Sequence, residues 1–165
     1  MPTLIAILGS ASANSYLTIA EATTILDDRV DISEDWTPAS DDAKARALIR
    51  ATDRLEQEEY RGCKKTLVQA LQWPRYQVPE RDNWYYDSES IPKPLLLACA
   101  ELALELIRDS ELFDDTGMEG FDSLSSGERS LTPNGRRAGT LPANIAKHIS
   151  HIRIGSENVT RIRRG

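Results

Sequence analysis

The chain has 165 residues, within the range of one domain, and can bury a core without disulfide or metal staples. With 40% hydrophobic and 28% charged residues it has the composition of a soluble globular protein, and no stretch approaches the roughly 18 apolar residues of a membrane span. Its net charge of −6 is unevenly divided: residues 1–135 hold 13 basic and 25 acidic side chains (−12), whereas 136–165 hold seven basic side chains and one acid (+6). That is an acidic body with a basic tail, and such a body repels nucleic acid, because neutralised phosphates supply most non-specific affinity.

Residues 3–8 are a short apolar run closed by Gly9, which predicts a first strand. Ala11-Ser12-Ala13 imitates a leader cleavage site. The apolar core of five residues is shorter than the roughly 7–15 of a secretory leader, however, and no positive region precedes it. Thr18 with Glu21 three residues later forms a capping-box pattern and opens a helix to about Arg29, with Ile19, Ala22, Ile25 and Leu26 on its apolar face. After a loop over 30–39, Ser40 caps a second helix reaching about Glu59. Asp41 and Asp42 favour its positive end, and Ala47, Leu48, Ala51 and Leu55 recur at helical spacing.

Gly62 ends that element. Leu67 to Trp73 suggests a short helical turn, Trp73-Pro74 an extended step, and 76–90 a polar loop rich in aromatics. A third helix opens at Pro92 and Pro94, which suit its first turn, and runs to about Asp109. Glu101, Glu105 and Arg108 form one polar stripe on a helix otherwise apolar all round. Such a helix lies at the centre of a core or meets two partners, one of them a neighbouring subunit. Residues 110–140 are rich in Gly and Ser, longer than ordinary loops, and read as a flexible or interface loop. Leu141 to His148 is a candidate short helix, and 149–162 a hairpin or extended arm. The predicted fold is mainly α. A three-helix domain covers 1–109, with short terminal strands, the 110–140 loop, and a basic C-terminal segment or arm over 141–165.

Catalytic and metal motifs do not occur. Cys63 and Cys99 have no ligand spacing, and Cys99 reads as a small buried hydrophobe. His148 and His151 lack a third ligand. No phosphate loop, nucleophile elbow or zinc-protease motif occurs, so no enzyme, metal or cofactor is expected. Arg46, Arg50 and Arg54 stack at four-residue spacing, each with an acid within helical reach: Asp42, Asp53 and Glu58 respectively. A salt-bridged face is favoured over a phosphate-tracking ridge, with Arg50 and Arg54 also suited to pairing across subunits. Trp84 and Tyr85 sit among Glu80, Asp82, Asp87 and Glu89. That setting favours a protein interface over base stacking. Arg153, Arg161, Arg163 and Arg164 read as a latch for an acidic partner, a sister copy of the acidic body among them.

Four words stand in order: Asn14-Ser15-Tyr16-Leu17-Thr18, running on into Ile19-Ala20-Glu21-Ala22; Ala47 to Leu55; Gln69-Ala70-Leu71-Gln72-Trp73-Pro74-Arg75; and Ile91-Pro92-Lys93-Pro94 leading to Ala100-Glu101-Leu102-Ala103. The set spans roughly residues 3–108. It resembles a tailed-phage family labelled DnaT-like single-stranded-DNA-binding, whose members look like head–tail connector (adaptor) proteins. The resemblance implies a non-enzymatic virion protein at the head–tail junction, present in the host cytoplasm during assembly. It implies a homo-oligomeric ring, twelve-fold, between the portal protein and a tail or neck completion protein, with passive genome contact and no membrane. The family label implies the alternative, a single-stranded-DNA binder. A transient capsid-assembly factor is the third class.

Overall fold

The computed structural model describes residues 2–29, 32, 34–80, 84–113 and 140–154, and the backbone of 121–124 and 131–133. Four helices dominate: α1 (Ile19–Asp27), α2 (Asp41–Glu56), α3 (Lys93–Arg108) and α4 (Ala143–Ile149). Two small antiparallel pairs accompany them. β1 (Cys63–Lys64) faces β2 (Arg75–Tyr76) with Cys63 opposite Tyr76, and β3 (Phe121–Leu124) faces β4 (Leu131–Pro133) with Phe121 opposite Pro133.

The caps are those expected. The Thr18 hydroxyl accepts the Glu21 amide at 3.3 Å, and the Glu21 carboxylate accepts the Thr18 amide at 2.8 Å, so two unpaired helix-end donors are satisfied reciprocally. Ser40 accepts the Ala43 amide at 3.2 Å, with Asp41 and Asp42 in the first turn. Thr18→Ala removes the hydroxyl half of the first box and leaves the backbone amide of residue 18 on the Glu21 carboxylate. It is expected to cost about 1 kcal/mol, read as a fall of roughly 2–4 °C in Tm by calorimetry; an unchanged Tm would show that packing alone holds α1.

α1 and α2 stop two to three residues short of the ends read from the pattern, and α3 one residue short. At α1 the Asp28 amide folds back to the Thr24 and Leu26 carbonyls and closes the turn.

α3 is the axis of the core and packs against α2, α4 and α1. Leu95, Leu97, Ala98, Cys99, Ala100, Leu102, Ala103, Leu104 and Leu106 are all buried. Its nearly continuous apolar surface is covered from within the chain, by Leu48, Ala51 and Leu55 of α2, Leu26 of α1 and Ile145 and Ile149 of α4 among others. A neighbouring subunit is therefore not needed to cover that surface. Trp36, in the loop before α2, is also fully buried; its indole N–H donates to the Thr23 hydroxyl at 2.9 Å.

The 3–8 run is extended but joins no strand ladder. The Asn14 side chain takes the place of a partner strand. Its Oδ1 accepts the Ile5 amide at 2.7 Å, its Nδ2 donates to the Thr3 carbonyl at 2.8 Å, and the Asn14 and Ser15 amides both donate to the Ile5 carbonyl. The chain beyond α4 returns to α2: Arg153 bridges Tyr60, and the Ile154 amide donates to the Glu59 carbonyl at 2.7 Å. The stretch from Leu67 to Trp73 is a series of bends rather than a helical turn, and the Trp73-Pro74 peptide is cis.

Candidate interaction surfaces

Three of the four ordered words of the sequence meet at the C-terminal end of α2 and form one polar knot. The Tyr16 amide donates to Thr52 Oγ1 at 3.3 Å, and the Tyr16 hydroxyl donates to Glu56. The same carboxylate accepts the Gln72 amide at 2.9 and 3.0 Å, while the Gln72 side chain donates to the carbonyls of Glu56 (2.6 Å) and Glu58 (2.9 Å). Gln69, buried, donates to the Pro74 carbonyl at 3.0 Å. Arg75 is only 8% exposed and spends its guanidinium on main-chain carbonyls: Arg61 at 2.8 Å, Tyr60 at 3.0 Å and Gly62 at 2.8 Å. Trp73 is buried, with its ring edge-on to Tyr60.

Burial governs the titration of this knot. It pushes the Tyr16 hydroxyl well up, and the Glu56 charge adds to that. It raises the Glu56 carboxyl too, opposed by the hydrogen bonds from Tyr16 and Gln72. Cys99, 3.6 Å from the Thr52 hydroxyl, has its thiol pushed up to about 12 by burial and is a packing group. The words that carry the resemblance therefore build the frame of the domain.

The helical arginines are engaged within the chain. Arg46 lies 3.9 Å from Asp42. Arg50 donates to the Ser110 carbonyl at 2.8 Å. Arg54 pairs with Glu58 at 2.9 Å, and its guanidinium stands over the Phe113 ring. Arg153 reaches the same Glu58 at 2.9 Å, tying the end of the described chain to α2. Arg161, Arg163 and Arg164 lie outside the described residues.

Trp84 and Tyr85 are 73% and 65% exposed. The loop that presents them is a small hairpin: Pro79 bridges Tyr85, the Glu80 amide donates to the Trp84 carbonyl at 2.7 Å, and the Tyr86 amide donates to the Val78 carbonyl at 3.0 Å. Its base is fastened by Tyr86 to His151 Nε2 at 2.7 Å and by Lys65 to Glu89.

Two features were not legible beforehand. Glu101 was read as part of a solvent stripe. It is instead a junction between helices, taking His148 of α4 at 2.9 Å and Arg29, just past α1, at 3.7 Å. That also gives His148 a plain structural partner, and among the described residues no cluster of ligating side chains could hold a metal. The second feature is an apolar surface. Leu67 is fully exposed, and Val68, Ile7 and Leu8 are exposed as well. The Ala70 amide donates to the Ser10 carbonyl at 3.0 Å and so brings the two turns side by side. Against them opens a pocket of about 300 Å³ lined by Leu8, Leu71, Trp73, Ile91 and Leu96, with exposed Glu21 and Glu89 also on its wall. The signal was present in the sequence as apolar residues in segments too short for an amphipathic period.

No curated protein and no solved structure matches the chain. Residues 7–122 match the family described as "Putative DnaT-like ssDNA binding protein", which is well over half of the sequence. The chain belongs to that family.

Proposed function

We propose that the protein is a structural assembly component, a head–tail connector that rings the portal of a tailed phage and joins it to tail or neck proteins. The observation that carries this reading is how the surface divides its side chains. Every described arginine (29, 46, 50, 54, 61, 75, 108 and 153) is paired with a carboxylate or a main-chain carbonyl of its own chain. Exposed Lys93 and Lys147 lie outside such pairs but on different helices, whereas the exposed large hydrophobic side chains include Ile7, Leu8, Leu67, Val68, Trp84 and Tyr85. Phosphate binding requires available cations, whereas protein interfaces use aromatic and aliphatic anchors. The −12 balance of residues 1–135 acts in the same direction. The phage setting and the ring rest on the resemblance of the ordered words, since none of the comparisons names a connector, a portal or a virion.

Single-stranded-DNA binding is the second reading, and the family description favours it over the first. Trp84, Tyr85 and Tyr76 would be its stacking groups. The two readings separate in one pair of measurements. A connector gives rings in electron micrographs when mixed with the portal of its phage, appears in the proteome of mature virions, and leaves the anisotropy of labelled oligo-dT unchanged at micromolar protein and low salt. A DNA binder raises that anisotropy with a steep salt dependence and forms no ring; that result would replace the first reading with the second.

A further inference from the structure

The pocket beneath Leu8 has an apolar floor and carboxylates on its wall: Glu21, which also accepts the Thr18 amide and hydroxyl, and Glu89, for which an incoming cation would compete with Lys65. Its volume of about 300 Å³ is at the low end for small-molecule sites and suits one or two inserted side chains. Exposed Ile7, Leu67 and Val68 widen the apolar surface around it, the kind of patch that marks a protein contact. Trp73, also on the wall, adds an aromatic ring to the lining.

One segment of this chain has the matching chemistry. Beyond Ile154 the sequence carries Arg161-Ile162-Arg163-Arg164, an aliphatic residue flanked by cations within the +6 segment, opposite in sign to the −12 body. We propose that the pocket receives this terminus from a second copy of the chain, with Ile162 on the apolar floor and the adjoining arginines against Glu21 and Glu89. The inference rests on the assembly reading above and names the contact by which one subunit would hold the next.

The wall between the two cavities supports a second copy. The last described residue, Ile154, stands beside Glu59 and Tyr60, on a cavity lined by Glu56, Glu58, Gln72 and Arg75. The 69–75 segment stands between that exit and the apolar pocket: Gln72 and Arg75 line the first cavity, Leu71 and Trp73 the second, and Trp73 packs on Tyr60. A terminus arriving from a neighbour meets no such wall. A contact of this head-to-tail kind closes into a ring when its rotation permits.

The test uses the full chain with a photo-crosslinker in place of one residue, Ile162→benzoylphenylalanine, mixed with a wild-type copy carrying a mass tag. After irradiation, adducts joining the two copies at peptides containing Leu8, Leu71 or Leu96 are expected. Leu8→Asp at the mouth and Glu89→Lys on the wall should each lower their yield at least fivefold, while circular dichroism of both variants stays at the wild-type signal. Adducts confined to one copy, adducts mapping elsewhere, or none at all overturn the proposal. Rings that form with portal yet lack pocket adducts remove this contact only; the absence of any ring removes the connector reading as well.

Discussion

Gly62→Ala is expected to destabilise the protein by about 3 kcal/mol or more, lowering Tm by roughly 6–12 °C, because two independent penalties coincide at that residue. Its φ of +72° lies in the left-handed region, which costs an L side chain roughly 1–2 kcal/mol. A Cβ there would also stand 2.1 Å from the Tyr76 carbonyl oxygen and 2.9 Å from a Val78 methyl. The first of these atoms is backbone and cannot swing aside, so β1 and β2 must part. Gly9→Ala supplies the control. Its φ is +70°, but no atom lies within 4 Å of the new carbon, so only the conformational cost of about 1 kcal/mol should appear. Equal losses at the two positions, measured by urea denaturation, would show that the β1–β2 approach is soft.

The second large effect belongs to Arg75. Arg75→Met keeps the length and apolar stem of the side chain but removes the donors to the Tyr60, Arg61 and Gly62 carbonyls. Three acceptors then lose a charged partner in a largely buried setting, and the expected loss is about 3 kcal/mol. Arg75→Lys should recover little, since a single ammonium cannot reproduce a planar fork facing several carbonyls. Arg46→Met, exposed and 3.9 Å from Asp42, should change stability by less than about 0.5 kcal/mol. A loss at Arg75 no greater than at Arg46 would mean that water replaces the guanidinium without penalty.

These two residues also show where sequence reasoning succeeds and where it stops. The helices were legible because their signals are local. Thr18 and Ser40 cap within three residues, Pro92 and Pro94 fit a first turn, and the apolar repeat of α2 needs only its own period. The frame around Arg75 was not legible. Its partners lie 13 to 15 residues away, and Tyr16, Thr52 and Glu56 close the same knot across 36 to 40 residues. No periodicity reports a pairing at such separations. The same limit applies to Asn14, whose amide replaces the strand partner that the 3–8 run was expected to find, and to Glu101, which looked solvated on a helical wheel until α4 supplied His148.

The candidate surfaces divide in the same manner. Trp84 and Tyr85 stood out by composition, and a fastened hairpin presents both to solvent. Arg50 and Arg54, suggested for pairing across subunits, are held by Ser110 and Glu58 of their own chain, and Arg153 joins Arg54 on that carboxylate. The exposed apolar group around Leu67 has no periodic signature in the sequence, because it exists only where two turns are hydrogen-bonded together through Ser10 and Ala70.

Because α1, α2 and α4 of the same chain cover most of the apolar surface of α3, the described body would enter any larger structure with its core already closed. Association would then resemble the stacking of finished bricks, with no folding step to complete at the seam, so the grip between copies could be loosened or tightened by surface substitutions while the brick itself stays intact.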